Sequence, residues 1–146
     1  MRRATLMPSS LFKLALIEDN PDDVRLLERL LRPWPVEVVS LGTGPAALDY
    51  LFDSEQPLPS LVLLDLILPH MHGFDVLRQV RRHPRTKALP VVIATSSAQE
   101  KDALKYYQIG INGFLVKPVQ LADLAPFLTG VEIGRGDGGD SRAKAA

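Results

Sequence analysis

The sequence contains no cysteine, which excludes disulfide bonds and any metal site built on thiolates. It also has no excess charge, because 17 basic residues balance 17 acidic ones, so nothing electrostatic favours binding to nucleic acid or anionic membranes. No apolar run approaches the roughly 18 residues of a membrane span. The apolar segment near the N-terminus is interrupted by Lys13 and followed by Glu18 and Asp19, unlike a signal peptide. These absences predict a cytoplasmic protein with neither nucleic acid nor membrane as a partner.

The length and composition indicate one globular domain. The chain has 146 residues, of which 46% are hydrophobic, and domains usually contain about 100–200 residues. After Gly130 the sequence becomes small, polar and glycine-rich, which is typical of a disordered segment. We therefore predict a flexible N-terminal arm over residues 1–10, a folded domain over 11–130 and a disordered tail over 131–146.

Short apolar runs alternate with segments of helical spacing throughout the predicted domain. The runs have the length and composition of strands and comprise LFKLALI (11–17), VEVVS (36–40), LVLLDL (61–66), LPVVIAT (89–95) and GFLV (113–116). The helical segments are Val24-Leu27-Leu31, residues 44–52, Phe74-Leu77-Val80, Leu104-Tyr107 and Leu121-Leu124-Leu128. This strict alternation predicts an α/β fold, in which five helices cover both faces of a five-stranded parallel sheet.

Two groups of polar residues have simple structural interpretations. Asn20 is a preferred N-cap for the first helix, and Asp22 and Asp23 then complement the helix dipole, so we interpret neither acid as a metal ligand. His70 and His72 have a spacing that suits a metal site, but no third ligand lies nearby in the sequence. We interpret them as surface histidines.

The carboxyl ends of the predicted strands carry the residues suited to chemistry. Glu18 and Asp19 follow the first strand, Asp65 ends the third, Thr95 the fourth and Lys117 the fifth. Ligands bind beyond this edge of an open parallel sheet, so we expect these side chains to converge. Three neighbouring acids repel one another unless a cation joins them, and Mg²⁺ prefers such oxygen ligands. With Lys117 and the Thr95 hydroxyl, the set can stabilise a phosphoryl group in transfer, and the centrally placed Asp65 is the candidate nucleophile.

The order and spacing of these residues form a pattern over residues 12–130. It consists of Glu18-Asp19, Asp65 with Pro69 and Gly73, Thr95, and the segment 114–118, with 30 positions from Asp65 to Thr95 and 22 from Thr95 to Lys117. This pattern resembles the receiver domain of bacterial two-component response regulators. The stretches LIEDNPDD, TSSAQEKD and NGFLVKPV further resemble the stand-alone regulators that are paired with bacterial phytochrome kinases.

The resemblance implies a flavodoxin-like doubly wound fold with strand order 2-1-3-4-5. It also implies that a sensor histidine kinase, of the phytochrome class by the narrower resemblance, transfers a phosphoryl group to Asp65. Mg²⁺ would be bound by Asp19, by Asp65 and by the backbone carbonyl of Ile67, and Glu18 would act on it through water.

The same resemblance implies how the domain would signal. Lys117 would contact the phosphoryl group, Thr95 would move to meet it, and the peptide bond before Pro118 would be cis. Phe114 would turn inward as Thr95 moves, which would change the face made by helix 4, strand 5 and helix 5. Because the segment after residue 130 is too short for an output module, we expect a single-domain regulator that docks on an unknown downstream protein. A homodimer is a further expectation by analogy.

Other functions remain open on the sequence alone. A phosphatase of the haloacid-dehalogenase type also forms an aspartyl phosphate, but it needs an acid two residues after the nucleophile, where Ile67 stands. A receiver-like binding module that is never phosphorylated and a phosphate sink for a kinase both fit the sequence. The apolar Ile67 cannot orient the water that hydrolyses a phosphoaspartate, so we expect a long-lived phosphorylated state. The only reactions expected of the protein are its own phosphorylation and dephosphorylation.

Overall fold

The computed structural model describes residues 12–102 and 109–128, and every structural statement below concerns these residues. The predicted arm over residues 1–10, the predicted tail over 131–146 and the helical face of Leu104 and Tyr107 lie outside them.

A five-stranded parallel sheet forms the centre of the domain. The strands comprise β1 Phe12–Ile17, β2 Val36–Leu41, β3 Leu61–Leu64, β4 Val91–Thr95 and β5 Gly113–Val116, and their order in the sheet is β2-β1-β3-β4-β5. All neighbouring pairs are parallel. The central strands β3 and β4 are buried along their whole length, as expected for apolar strands covered on both faces. The predicted fold class and strand order are confirmed.

Helices connect the strands and cover the sheet. They comprise α1 Pro21–Leu31, α2 Gly44–Phe52, α3 Gly73–Arg82, α4, of which residues 100–102 are described, and α5 Leu121–Leu124, which continues as a 3-10 turn over Ala125–Phe127. The side chains of Asn20, Thr43 and His72 each accept a hydrogen bond from an amide in the first turn of α1, α2 and α3. These caps satisfy amides that have no partner within the helix and fix where each helix begins. In the described residues we find no helix with the length and apolarity needed to cross a membrane.

Two hydrophobic cores lie on opposite faces of the sheet. Alternate residues of β3 divide between them, because Val62 and Leu64 belong to the core under α2 and α3, whereas Leu61 and Leu63 belong to the core under α1 and α5. Burial of apolar surface on both sides stabilises the sheet by roughly 25 cal/mol per Å². The carboxyl ends of the strands are left as the edge where polar residues can collect.

The ends of the two central strands differ from the apolar pattern of the sequence. β3 ends at Leu64 rather than at residue 66, because the chain turns back toward α3. In that turn the Ile67 amide donates to Asp65 Oδ1 at 3.1 Å, and the Gly73 amide donates to the Leu66 carbonyl at 2.8 Å. β4 begins two residues later than predicted, because the proline before it has no amide hydrogen to donate to the sheet.

Candidate functional site

Three carboxylates meet at the carboxyl edge of the sheet. Glu18 and Asp19 follow β1, and Asp65 follows β3, the neighbour of β1 in the sheet. One oxygen from each carboxylate lies within 4.8 Å of the others. Glu18 and Asp65 are buried, whereas Asp19 is exposed. The arrangement provides the oxygen ligands that a hard divalent cation requires.

The ammonium of Lys117 lies against this cluster. Its Nζ donates hydrogen bonds to Glu18 Oε1 at 2.5 Å, to Asp65 Oδ2 at 2.9 Å and to Asp23 Oδ2 at 2.9 Å. Because an ammonium has three hydrogens, these contacts use all of its donors. The structure therefore brings the lysine from β5 together with the acids that follow β1 and β3.

Backbone amides hold the two buried carboxylates in place. The Asn20 amide donates to Glu18 Oε2 at 3.2 Å, and the Ile67 amide donates to Asp65 Oδ1 at 3.1 Å. Each of these carboxylates thus has one oxygen on a backbone amide and the other on the lysine. Ile67, two residues after Asp65, is a large apolar residue that is 57% exposed.

The charges of the site do not balance. Glu18, Asp23 and Asp65 each pair with Lys117, and Asp19 adds a fourth acid beside two of them. Burial raises the pKa of Glu18 to about 7, and the charge of Asp65 adds to this effect, while hydrogen bonds from Lys117 and a backbone amide oppose it. Burial alone would lower the pKa of Lys117, but its hydrogen bonds to three carboxylates outweigh burial and raise that pKa. The remaining negative charge favours a divalent cation at the cluster.

The other expected site residues lie on β4 and β5. Thr95 is fully buried, and its Oγ1 has no hydrogen-bond partner among the described residues. An unpaired buried hydroxyl costs about 1–3 kcal/mol. The Thr95 carbonyl accepts from the Lys117 amide at 2.8 Å, and the Lys117–Pro118 peptide bond is cis. Phe114 is partly buried against the core under α2 and α3.

Asp23 is the site residue that the sequence did not reveal. It lies in the first turn of α1, as its interpretation as a dipole complement requires, but it also binds the lysine. Its helical position gave no signal, because the adjacent Asp22 lies in the same turn and does not contact the lysine. The contact itself joins residues 94 positions apart, which no local pattern records.

The two histidines near Asp65 differ in their surroundings. His70 is exposed and has a φ of 70°, whereas Nδ1 of His72 accepts from the Phe74 amide at 3.1 Å and caps α3. Within the described residues, neither belongs to a group able to hold a metal ion.

Residues 14–128 match the family described as "response regulator receiver domain". The chain belongs to this family. Receivers take up a phosphoryl group on an aspartate with Mg²⁺, and this receiver is a signalling domain. A curated relative, the response regulator Rcp1 from Synechocystis sp., is 34% identical over 125 residues, which cover 82% of this chain and 85% of Rcp1.

Solved structures agree with the fold of this receiver. The bacteriophytochrome response regulator AtBRR has a TM-score of 0.74 at 37% identity, over 80% of this chain and 89% of AtBRR. The Mn²⁺-bound form of Rcp1 has a TM-score of 0.70 at 31% identity, over 84% of this chain and 99% of Rcp1. The phosphorylated cyanobacterial phytochrome response regulator RcpA has a TM-score of 0.69 at 33% identity, over 82% of this chain and 90% of RcpA. Two of these relatives were thus solved with a divalent cation or with a phosphoryl group.

Proposed function

We propose that this receiver accepts a phosphoryl group on Asp65 from a sensor histidine kinase and signals by docking on another protein. The observation that carries the proposal is the contact of Lys117 Nζ with Asp65 Oδ2 at 2.9 Å, beside a cluster of three acids. This combination supplies a carboxylate nucleophile, a fixed positive charge for a phosphoryl oxygen and oxygen ligands for a cation.

The cation in this proposal is Mg²⁺. Asp19, Asp65 and the Ile67 carbonyl would bind it directly, and Glu18 would act through water. The donor set fits, because the three acids offer hard oxygen ligands within 4.8 Å of one another and carry surplus negative charge. When bound, Mg²⁺ would neutralise charge on the phosphoryl oxygens.

Asp65, Lys117 and Thr95 have separate roles in the transfer of the phosphoryl group. An oxygen of Asp65 attacks phosphorus as the bond from phosphorus to the kinase histidine nitrogen breaks. The ammonium of Lys117 can exchange its hydrogen bond to Asp65 for one to a phosphoryl oxygen. The unpaired hydroxyl of Thr95 is available to donate to another. The chemistry of the domain is limited to its own phosphorylation and dephosphorylation.

The kinase in this proposal is of the phytochrome class. Support comes from AtBRR, described as a bacteriophytochrome response regulator, and from RcpA, described as a cyanobacterial phytochrome response regulator, which are 37% and 33% identical to this chain. A regulator of this kind would meet its kinase in the cytoplasm.

Thr95 and Phe114 form the switch in this proposal. Movement of Thr95 toward the phosphoryl group would free space for the Phe114 ring, which is now only partly buried. The change would reach the face of α4, β5 and α5, where Val116 is 45% exposed and accessible to a partner. The partner is a downstream protein or a second copy of this chain.

Intact mass measurement tests the proposal directly. The protein is incubated with Mg²⁺ and acetyl phosphate, beside Asp65→Asn and the control Asp49→Asn, which changes an exposed acid of α2. We expect one added phosphate in the wild type and in the control, and none in Asp65→Asn. No uptake by the wild type, from acetyl phosphate or from a phosphorylated kinase, would instead indicate a binding module. Return of the phosphate to the kinase would indicate a phosphate sink.

A further inference from the structure

Asp23 is one of three acceptors that surround the Lys117 ammonium. The other two, Glu18 and Asp65, belong to the acids whose oxygens lie within 4.8 Å of one another, and Asp23 does not. When that group holds a cation, Asp65 must share its lone pairs with the cation and Glu18 must share its own with a water bound to the cation, so their hydrogen bonds to the lysine weaken. Among the three acceptors, only Asp23 then keeps all of its lone pairs available to accept a hydrogen bond from the lysine.

The start of α1 fixes Asp23 in this position. Asn20 caps the helix and a proline occupies its first position, so the first turn is well defined. Two adjacent acids in that turn have different surroundings. The side chain of Asp22 is 82% exposed and pairs with Arg25, whereas that of Asp23 is 36% exposed and pairs with Lys117. Both acids complement the helix dipole, so the stability of α1 does not explain the contact with the lysine.

Apolar residues border the lysine on the side of α1. Asp23, Lys117 and Asp65 line a pocket whose other walls include Leu26 and Leu27. Water screens an ion pair less effectively beside such a wall than at an exposed surface. The hydrogen bond between Asp23 and Lys117 is therefore strong enough to orient a long side chain.

We propose that Asp23 is a positioning residue, which keeps the Lys117 ammonium beside Asp65 while the three-acid group binds its cation. The proposal rests on the proposed function, because the lysine is held ready for an incoming phosphoryl group. Asp23 acts only through the lysine, by removing the other orientations that its flexible side chain would adopt.

The first test needs no metal. Melting temperatures are measured in EDTA for Asp23→Asn and Asp22→Asn, each in the wild type and in Lys117→Met. We expect Asp23→Asn to lower the melting temperature by roughly 3 °C or more further in the wild type than in Lys117→Met, because only in the wild type does the ammonium lose a carboxylate partner. Asp22→Asn should have the same effect in both backgrounds. Equal effects for Asp23→Asn would overturn the proposal.

The second test separates positioning from a general structural role. The rate of phosphorylation by acetyl phosphate is measured at a Mg²⁺ concentration shown to be saturating for each variant. Asp23→Asn should raise the half-saturating acetyl phosphate concentration about tenfold, the effect of losing one charge-assisted hydrogen bond, and should change the maximal rate much less. Asp22→Asn should match the wild type, and Asp23→Glu, which keeps the charge, should restore most of the loss.

The outcomes distinguish the two proposals. If the wild type takes up phosphate and Asp23→Asn has the half-saturating concentration of Asp22→Asn, the positioning role is wrong and the proposed function stands. If the wild type takes up no phosphate from acetyl phosphate or a kinase, the proposed function fails, and the melting experiment still decides whether Asp23 holds Lys117.

Discussion

Two fully buried threonines of this receiver differ in one measurable respect. Thr86 Oγ1 donates to the Val80 carbonyl at 2.7 Å, whereas Thr95 Oγ1 has no partner among the described residues. Thr95→Val removes an unsatisfied group, so we expect the free energy of unfolding to rise by about 1 kcal/mol. Thr86→Val removes a hydroxyl that is hydrogen-bonded and leaves the Val80 carbonyl without that partner, so we expect the free energy of unfolding to fall by about 1–2 kcal/mol. Chemical denaturation in EDTA measures both changes.

Thr95→Val should increase stability but impair phosphorylation. A hydroxyl that costs stability is explained if it contacts a phosphoryl group, so Thr95→Val should be phosphorylated more slowly by acetyl phosphate although it is more stable. Thr86→Val is the control, because its hydroxyl lies at the end of α3 away from the acids. A Thr95→Val protein that is both less stable and equally reactive would contradict the assignment.

The exposed Ile67 side chain predicts a slow loss of the phosphoryl group. Ile67 lies two residues after Asp65, the proposed acceptor, is 57% exposed and has no group able to orient a water molecule. We expect Ile67→Asn to hydrolyse its phosphoaspartate several-fold faster, since an amide can position the attacking water. The decay is followed by intact mass after removal of acetyl phosphate. An unchanged rate would count against this role.

The raised pKa of Glu18 predicts how the stability of the metal-free protein depends on pH. Burial places this pKa at about 7, above the value of 4.5 without burial, so the folded state binds the proton more tightly than the unfolded state. The associated stability is fully present below about pH 4.5 and is lost as the pH rises through 7.

Glu18→Gln mimics the protonated acid and serves as the reference. Relative to this variant, the wild type in EDTA should lose on the order of 3 kcal/mol of unfolding free energy between pH 4.5 and pH 8. Urea denaturation across this range measures the difference. A constant difference between the two proteins would show that burial of Glu18 does not govern its protonation.

At the scale of elements, a glycine allows α3 to begin against the backbone of Asp65 and Leu66. A Cβ at Gly73 would lie 2.5 Å from the Asp65 carbonyl oxygen and 2.6 Å from the Leu66 Cα, which are backbone atoms that cannot move aside. A Cβ at Gly113 would instead meet the ring of Phe127. We expect Gly73→Ala to cost about 2–4 kcal/mol and Gly113→Ala about 1–2 kcal/mol, because a ring can shift and backbone cannot.

The rate of phosphorylation should also differ between the two glycine variants. Gly73→Ala should displace the backbone of Asp65 and Leu66 and so slow phosphate uptake, whereas Gly113→Ala should change mainly the melting temperature. Gly42→Ala is the control, since nothing lies within 4 Å of a Cβ at that position. Similar melting temperatures for Gly73→Ala and Gly42→Ala would show that this backbone adapts.

The elements were predictable where local chemistry marks them. α2 has the bounds that the sequence predicts, because Thr43 caps it and its apolar face has helical spacing. The end of β3 was not, since hydrophobicity continues past the residue at which the backbone turns away, and neither was the start of β4, where a proline precedes the strand. The strand-end residues of the site were predictable because parallel topology brings those ends to one edge. Asp23 was not, because its role depends on where a lysine from β5 reaches.

At the scale of the whole molecule, a net charge of zero conceals a local imbalance. The 17 acidic and 17 basic residues cancel over the chain, yet at the site three acids pair with Lys117 and a fourth, Asp19, lies beside two of them. Arginines elsewhere serve the fold, since Arg81 donates to the carbonyls of Lys87, Leu89 and Gly110. Among the described residues, no arginine forms an ion pair with Glu18, Asp23 or Asp65, whose charges meet only the lysine.

This imbalance predicts that Mg²⁺ stabilises the whole domain. A cation that binds only the folded state at ten times its dissociation constant adds about 1.4 kcal/mol, which corresponds to roughly 3–6 °C in the melting temperature of a domain this size. Asp19→Asn should lose most of the rise, because it removes one of the three converging acids, whereas Asp22→Asn should keep it. NaCl at matched ionic strength separates specific binding from screening. An equal rise with NaCl, or an undiminished rise in Asp19→Asn, would mean that the acids relieve their repulsion without holding a cation.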